Sequence, residues 1–221
     1  MKLVHPDWEQ SVEFKENRVN VICIENQQYF TSIIVELKNQ IENGNGKFIL
    51  SDNNKAMEIK NNSGILFSPF LIDLLNKRLL TAVFKEMREV AMNEEIIASN
   101  QIKSEIISYM LKVSDYLDYD VVIPDDFDVI DLFKSTGITL NADKQDIIST
   151  ILDYVILCHR ILKWNIVFAI NLKSYFDLDQ LKLLYENILQ HKIHIVILEN
   201  SNPYIISGEK LITIDNDLCE I

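Results

Sequence analysis

Between residues 115 and 131 the sequence reads DYLDYDVVIPDDFDVID, with seven aspartates and no Lys, Arg or His. Hard cations such as Ca²⁺ take several oxygen ligands from carboxylates and backbone carbonyls. Asp118, Asp120, Asp125, Asp126 and Asp128 can converge on such an ion if the chain turns sharply here, and Pro124 favours a turn. The spacing is not that of an EF-hand, because the required glycine and terminal glutamate are absent. The competing reading is a solvated acidic loop whose aspartates cap a helix. Pro124-Asp125-Asp126 is then the start signal of a short helix that runs to Lys134 and stops at Gly137.

A second place where chemistry could sit follows the apolar run VNVICIE, residues 19–25. A strand passing into a helix is where a nucleotide-binding protein places its phosphate loop, which needs two glycines and then Lys-Ser/Thr. Aligned on Ser32, Glu25 and Phe30 stand at the glycine positions and Thr31 at the lysine. Without glycine the backbone cannot open its amides toward phosphate, and without lysine the terminal phosphates lack a partner. Gly44-Asn45-Gly46-Lys47 follows a helix and reads as its stop. Glu199 closes an apolar strand in the manner of an acidic Mg²⁺-holding residue, whereas Asn171 closes its neighbour. An NTPase-like scaffold without NTPase machinery is the reading, hence no enzyme. The alternative is a metal-dependent NTPase or nuclease on a P-loop-like scaffold, with Asp120, Asp125, Asp126 and Glu199 as ligands. No Cys/His set has zinc spacing. Cys23, Cys158 and Cys219 form no disulfide framework, which points to the reducing cytoplasm.

The 221 residues carry 33 Asp+Glu against 21 Lys+Arg, a net charge of −12. Net acidity argues against nucleic acid as a partner unless the cations gather on one surface. Lys77, Arg78, Lys85, Arg88, Lys103, Lys112, Lys134 and Lys144 are spread in and beside the central part of the chain. Each alone reads as a solvated helix face. With 48% apolar residues the chain has enough surface to bury to offset its entropy, so disorder is not expected. No apolar run approaches the roughly 18 residues of a membrane span. The N-terminal residues lack a signal-peptide pattern.

These groups must be positioned by an α/β framework. Residues 19–25 predict a buried strand. Asn26 caps a helix with apolar positions at Tyr29, Ile33, Ile34, Leu37 and Ile41, stopped by Gly44 and Gly46. Residues 47–50 and 64–67 predict two more strands, so a βαβ unit and a largely parallel sheet are expected. After Ser68-Pro69, residues 71–117 show helical spacing throughout, with a break near 92–94. Asn141 caps a helix over about 144–162. Strands follow at 165–170, 193–198 and 210–214, with a helix opened by Asp177 between the first two. The expected organisation is a discontinuous α/β head, residues 1–70 and 145–221, with an inserted α-helical leg, residues 71–144.

Taken together, VNVICIE without a phosphate loop, DDFDVIDLFKSTGITL (125–140) and the strand pair NIVFAIN (165–171) and IHIVILEN (193–200) resemble one family. It is the small accessory spacer-acquisition protein of type II-A CRISPR systems, the Csn-two family, and the resemblance covers essentially the whole chain. It implies a head resembling a P-loop ATPase core without nucleotide hydrolysis, and a helical leg. It further implies a ring-shaped homotetramer that binds double-stranded DNA without sequence preference, threading it from free ends. Ca²⁺ would stabilise the leg. The partners implied are the core CRISPR adaptation proteins and the large effector nuclease, with no membrane. Asp125 and Asp126 match the calcium-ligand positions before the aligned helix, followed by Asp120, then Asp118 and Asp128. Lys134, in LFKSTG, matches an aligned lysine, and Lys144, Arg78 and Lys77 are the other candidate DNA contacts. A ring would gather four copies of each inward-facing lysine around the duplex, and duplex binding through phosphates follows local rather than total charge.

Overall fold

The computed structural model describes residues 1–74, 76–140, 146–201 and 204–221. In chain order the elements are β1 (Lys2–Val4), β2 (Val12–Glu13), β3 (Val19–Ile24), α1 (Gln27–Asn43), β4 (Ile49–Asp52), β5 (Lys55–Met57), α2 (Ile59–Asn62) and β6 (Ser63–Leu66). Then come α3 (Lys77–Asn93), α4 (Ile96–Ser114), α5 (Val129–Ser135), α6 (Ile147–Leu162), β7 (Ile166–Ile170), α7 (Leu178–Gln190), β8 (His194–Glu199) and β9 (Glu209–Ile214). The protein is therefore mixed α/β. It divides into two compact units, Met1–Asp73 with Ala142–Ile221, and Leu74–Asn141.

The larger unit is built on a five-stranded sheet of order β6-β7-β8-β3-β9, parallel throughout. The apolar run of β7 and that of β3, broken only by Asn20, are buried at every residue, as strands covered on both faces must be. On one face lies α1. Asn26 caps it by accepting the Tyr29 N–H at 3.0 Å, and Gly44, in the left-handed region at φ 86°, closes it. The same unit holds a second sheet, antiparallel, of order β2-β1-β4-β5, joined to the first where the Asn20 amide of β3 donates to the Glu13 carbonyl of β2 at 3.3 Å. Leu3, Phe48 and Leu50 from its vicinity join Ile22, Leu37 and Phe168 in one buried cluster. Helices α6 and α7 contribute buried Ile151, Val155, Leu181 and Leu184 to the core.

The second sheet corrects the expected βαβ unit. Residues 47–50 were expected to enter the parallel sheet, but β4 pairs antiparallel with both β1 and β5. The cause is the turn at Asn53-Asn54, whose φ angles of 47° and 60° suit a two-residue hairpin. Gln40 reinforces the diversion. Its Nε2 donates to the Phe48 carbonyl at 2.7 Å and its Oε1 accepts the Phe48 N–H at 3.0 Å. The chain regains the parallel sheet only at β6.

The smaller unit consists of α3, α4 and α5. The interruption after α3 falls at Glu94 and Glu95, close to the expected break. Its beginning differs from expectation, since residues 69–71 form a single 3₁₀ turn and α3 opens only at Lys77. Asn76 sets that start by accepting the Leu79 N–H at 2.9 Å. The short helix α5 opens later than Pro124-Asp125-Asp126 suggests, because Asp128 is the residue that accepts the Ile130 N–H, at 3.0 Å. In the larger unit α6 opens at Ile147 with Asp146 as its cap, while Asn141 lies outside the described residues. Among the described residues no helix is long and apolar enough to cross a membrane.

Candidate functional site

The smaller unit holds the acidic segment and most of the basic candidates, and it has little core. Among its described residues Leu79, Ala91, Ser99 and Val129 are buried. Ser99 ties α4 to α3 by donating its hydroxyl to the Ala91 carbonyl at 3.0 Å. Large apolar side chains remain outside: Ile97 is 82% exposed and Tyr109 68%.

Residues 115–128 run from α4 to α5 as turns and irregular chain. Asp118, Asp120 and Asp125 are exposed along it. Asp126 forms an ion pair with Lys103 of α4, and the Lys103 ammonium also stands 5.8 Å from the centre of the Phe127 ring. Asp128 pairs with Arg88 of α3, whose Nε–H is shared between the two carboxylate oxygens at 3.0 and 2.8 Å. The bond from Lys103 and that from the Phe127 N–H hold the Asp126 carboxyl below the usual carboxylate range. The Ile130 N–H and the bond from Arg88 do the same for Asp128.

This arrangement does not fit a calcium ion. Two of the five carboxylates are bonded to side-chain cations, and one of them also spends an oxygen on capping α5. Among the described residues no three His, Cys, Asp or Glu side chains come together as a metal ion requires. Neither Arg88 nor Lys103 could be assigned this part from the sequence, because the pairings span 40 residues in one case and cross between elements in the other. The only signal was the density of carboxylates needing counter-charge.

The basic candidates separate into kinds. Lys77 and Arg78 are exposed in the first turn of α3, which contains no acidic residue. The helix dipole already places partial positive charge at this end, so the two cations add to it. Lys134 lies in the last turn of α5, 3.1 Å from Asp131. Lys144 lies outside the described residues.

In the larger unit the strand-to-helix junction after β3 is closed by protein. The Glu25 N–H donates to the Ile214 carbonyl at 2.9 Å and the Asn26 side chain occupies the start of α1. Glu199, at the end of β8, is 2% exposed and accepts the Lys173 N–H at 2.9 Å. Burial raises its pKa above the usual carboxylate value. Burial, with the charges of Glu25 and Glu199, likewise raises the neighbouring Cys23 thiol to about 11, leaving it a poor nucleophile. Lys173 itself was missed, although a lysine between Leu172 and Tyr175 in NLKSYF hinted at a buried cation.

A five-stranded parallel α/β protein with a closed phosphate position and a separate helical unit is thus the class defined by the fold. The family model for CRISPR-associated protein (Cas_Csn2) matches residues 40–218. The chain belongs to the Cas_Csn2 family, and with it to the proteins of CRISPR adaptation. No curated relative matches. Among solved structures, a putative ABC transporter (ATP-binding protein) from Pyrococcus furiosus aligns with a TM-score of 0.41 and 14% identity, over 96% of this chain and 97% of that one. That likeness is too loose to argue from.

Proposed function

We propose that this protein is a non-enzymatic, sequence-independent binder of double-stranded DNA ends, acting in spacer acquisition in the cytoplasm. In this reading the larger unit is a P-loop-ATPase-like head without a working phosphate loop, and residues 74–141 are its inserted leg. Four copies form a ring that threads the duplex, beside the other adaptation proteins and the effector nuclease. The observation that carries the reading is the start of α3. In a chain of net charge −12, two exposed cations share a helix end that has no carboxylate in its first turn. Phosphates bind at such ends through amides and cations together, without reading bases. The exposed Ile102 and Tyr109, seven residues apart and so on one stripe of α4, support self-association, because exposed apolar surface commonly marks an interface. Calcium is given no part at residues 125–128.

The test compares retention of linear and covalently closed circular duplex at matched salt, for the native protein and for Lys77→Glu/Arg78→Glu. Preference for linear duplex, lost in the variant, is expected. Equal retention of both forms would remove threading, and unchanged binding by the variant would remove the α3 contact.

A further inference from the structure

We infer that in this chain the acidic segment before α5 is anchored by protein cations, so that the fold of residues 74–141 needs no divalent metal. Three facts converge on this. The unit has a small core, which leaves tethers to hold its third helix. Asp128 fixes both ends of one tether, since it caps α5 through the Ile130 N–H and receives the Arg88 guanidinium from α3. Asp126, two residues earlier, receives Lys103 from α4, and that ammonium also faces Phe127. The segment is therefore stitched to both preceding helices by side chains whose positive charge does what a bound cation would do. It neutralises neighbouring carboxylates and draws the chain inward. Arg88 and Lys103 are positioning residues.

The two devices differ in what disturbs them. A metal site is dismantled by a chelator and restored by the ion. Ion pairs at a surface ignore the chelator and weaken as salt screens them.

Hydrogen–deuterium exchange of the full chain resolves them, read at the amides of residues 126–135. The native protein is expected to exchange at one rate in EDTA and in millimolar calcium chloride, and faster as potassium chloride is raised. Arg88→Met and Lys103→Met should each speed exchange in this segment while leaving β3, β7 and β8 protected. Slower exchange of the native protein with calcium than with EDTA would overturn the inference. So would native-like protection in both variants. Should a variant fail to fold, the chelator and salt series on the native protein still decides. No DNA enters the measurement, so its outcome is separate from that of the DNA-end reading.

Discussion

The ammonium of Lys173 lies 2.7 Å from Glu209 Oε2, with only 3% and 1% of the two side chains exposed. Lys173 Nζ also donates to the Tyr204 carbonyl at 2.7 Å. Glu209 in turn accepts the Tyr185 hydroxyl at 2.9 Å and the Ile206 N–H at 2.8 Å. The pair thus fastens the connection from β8 to β9 against α7. Burial and the Glu209 charge push the Tyr185 phenol well above its ordinary pKa, which keeps it a donor to that carboxylate.

Lys173→Met should therefore be severely destabilising. Removing one partner of a buried pair leaves the other charge uncompensated, at a cost of about 3–5 kcal/mol. Urea unfolding measures it. Adding Glu209→Gln to the variant should recover part of the loss. A single variant as stable as the native protein would show that the pair does not hold the connection.

Glu199 gives a pH dependence of known sign. Burial raises its folded-state pKa above the value it has in the unfolded chain. Its contribution to stability is therefore full below the unfolded pKa and is lost as pH rises through the folded one. Glu199→Gln keeps an oxygen for the Lys173 N–H and removes the titration. The variant should gain on the native protein as pH climbs from about 4 toward neutrality, followed by thermal melting across that range. A stability difference that does not change with pH would contradict this.

The parallel sheet was legible because β3, β7 and the middle of β8 are apolar at nearly every position, and burial on both faces demands that. Caps with a local partner were legible too, as at Asn26, Gly44 and Asp177. The antiparallel sheet was not. Strands as short as Lys2–Val4 and Val12–Glu13 offer too few residues for a pattern, and the Asn53-Asn54 hairpin lacks the glycine that usually betrays one. At the candidate site the aspartates were visible but their use was not. Whether a carboxylate meets a metal or an arginine 40 residues away depends on tertiary packing, as Arg88 and Asp128 show. The same holds for Gly64, whose reason is a single distant ring.

A Cβ built on Gly64 would lie 2.1 Å from Trp164 Cζ3, so the indole packs where a side chain would begin. Trp164 is buried and fixed by its neighbours, including an edge contact with Tyr154 at 5.8 Å between ring centres. Gly64→Ala must move either β6 or the indole, at a cost of roughly 1–3 kcal/mol or more by the ordinary price of overpacking. Trp164→Leu, added to Gly64→Ala, should return part of the stability. If Gly64→Ala melts like the native protein, the ring is not held as described.

Lys77 allows structural and nucleic-acid roles to be told apart by sign. A cation in the first turn of a helix opposes the helix dipole, so in a purely structural role it is a defect. Lys77→Gln should then leave thermal stability unchanged or slightly higher. If the same ammonium contacts a phosphate, the substitution removes one counterion-release event in every protomer that reaches the duplex. The slope of log affinity against log salt for linear duplex should become shallower by about 1 for each such protomer, up to about 4 for the ring, uniformly across sequences. Stability and DNA affinity would thus move in opposite directions in one variant, which loss of fold cannot imitate. An unchanged salt slope would withdraw Lys77 from the DNA surface and leave its place at the head of α3 without a function.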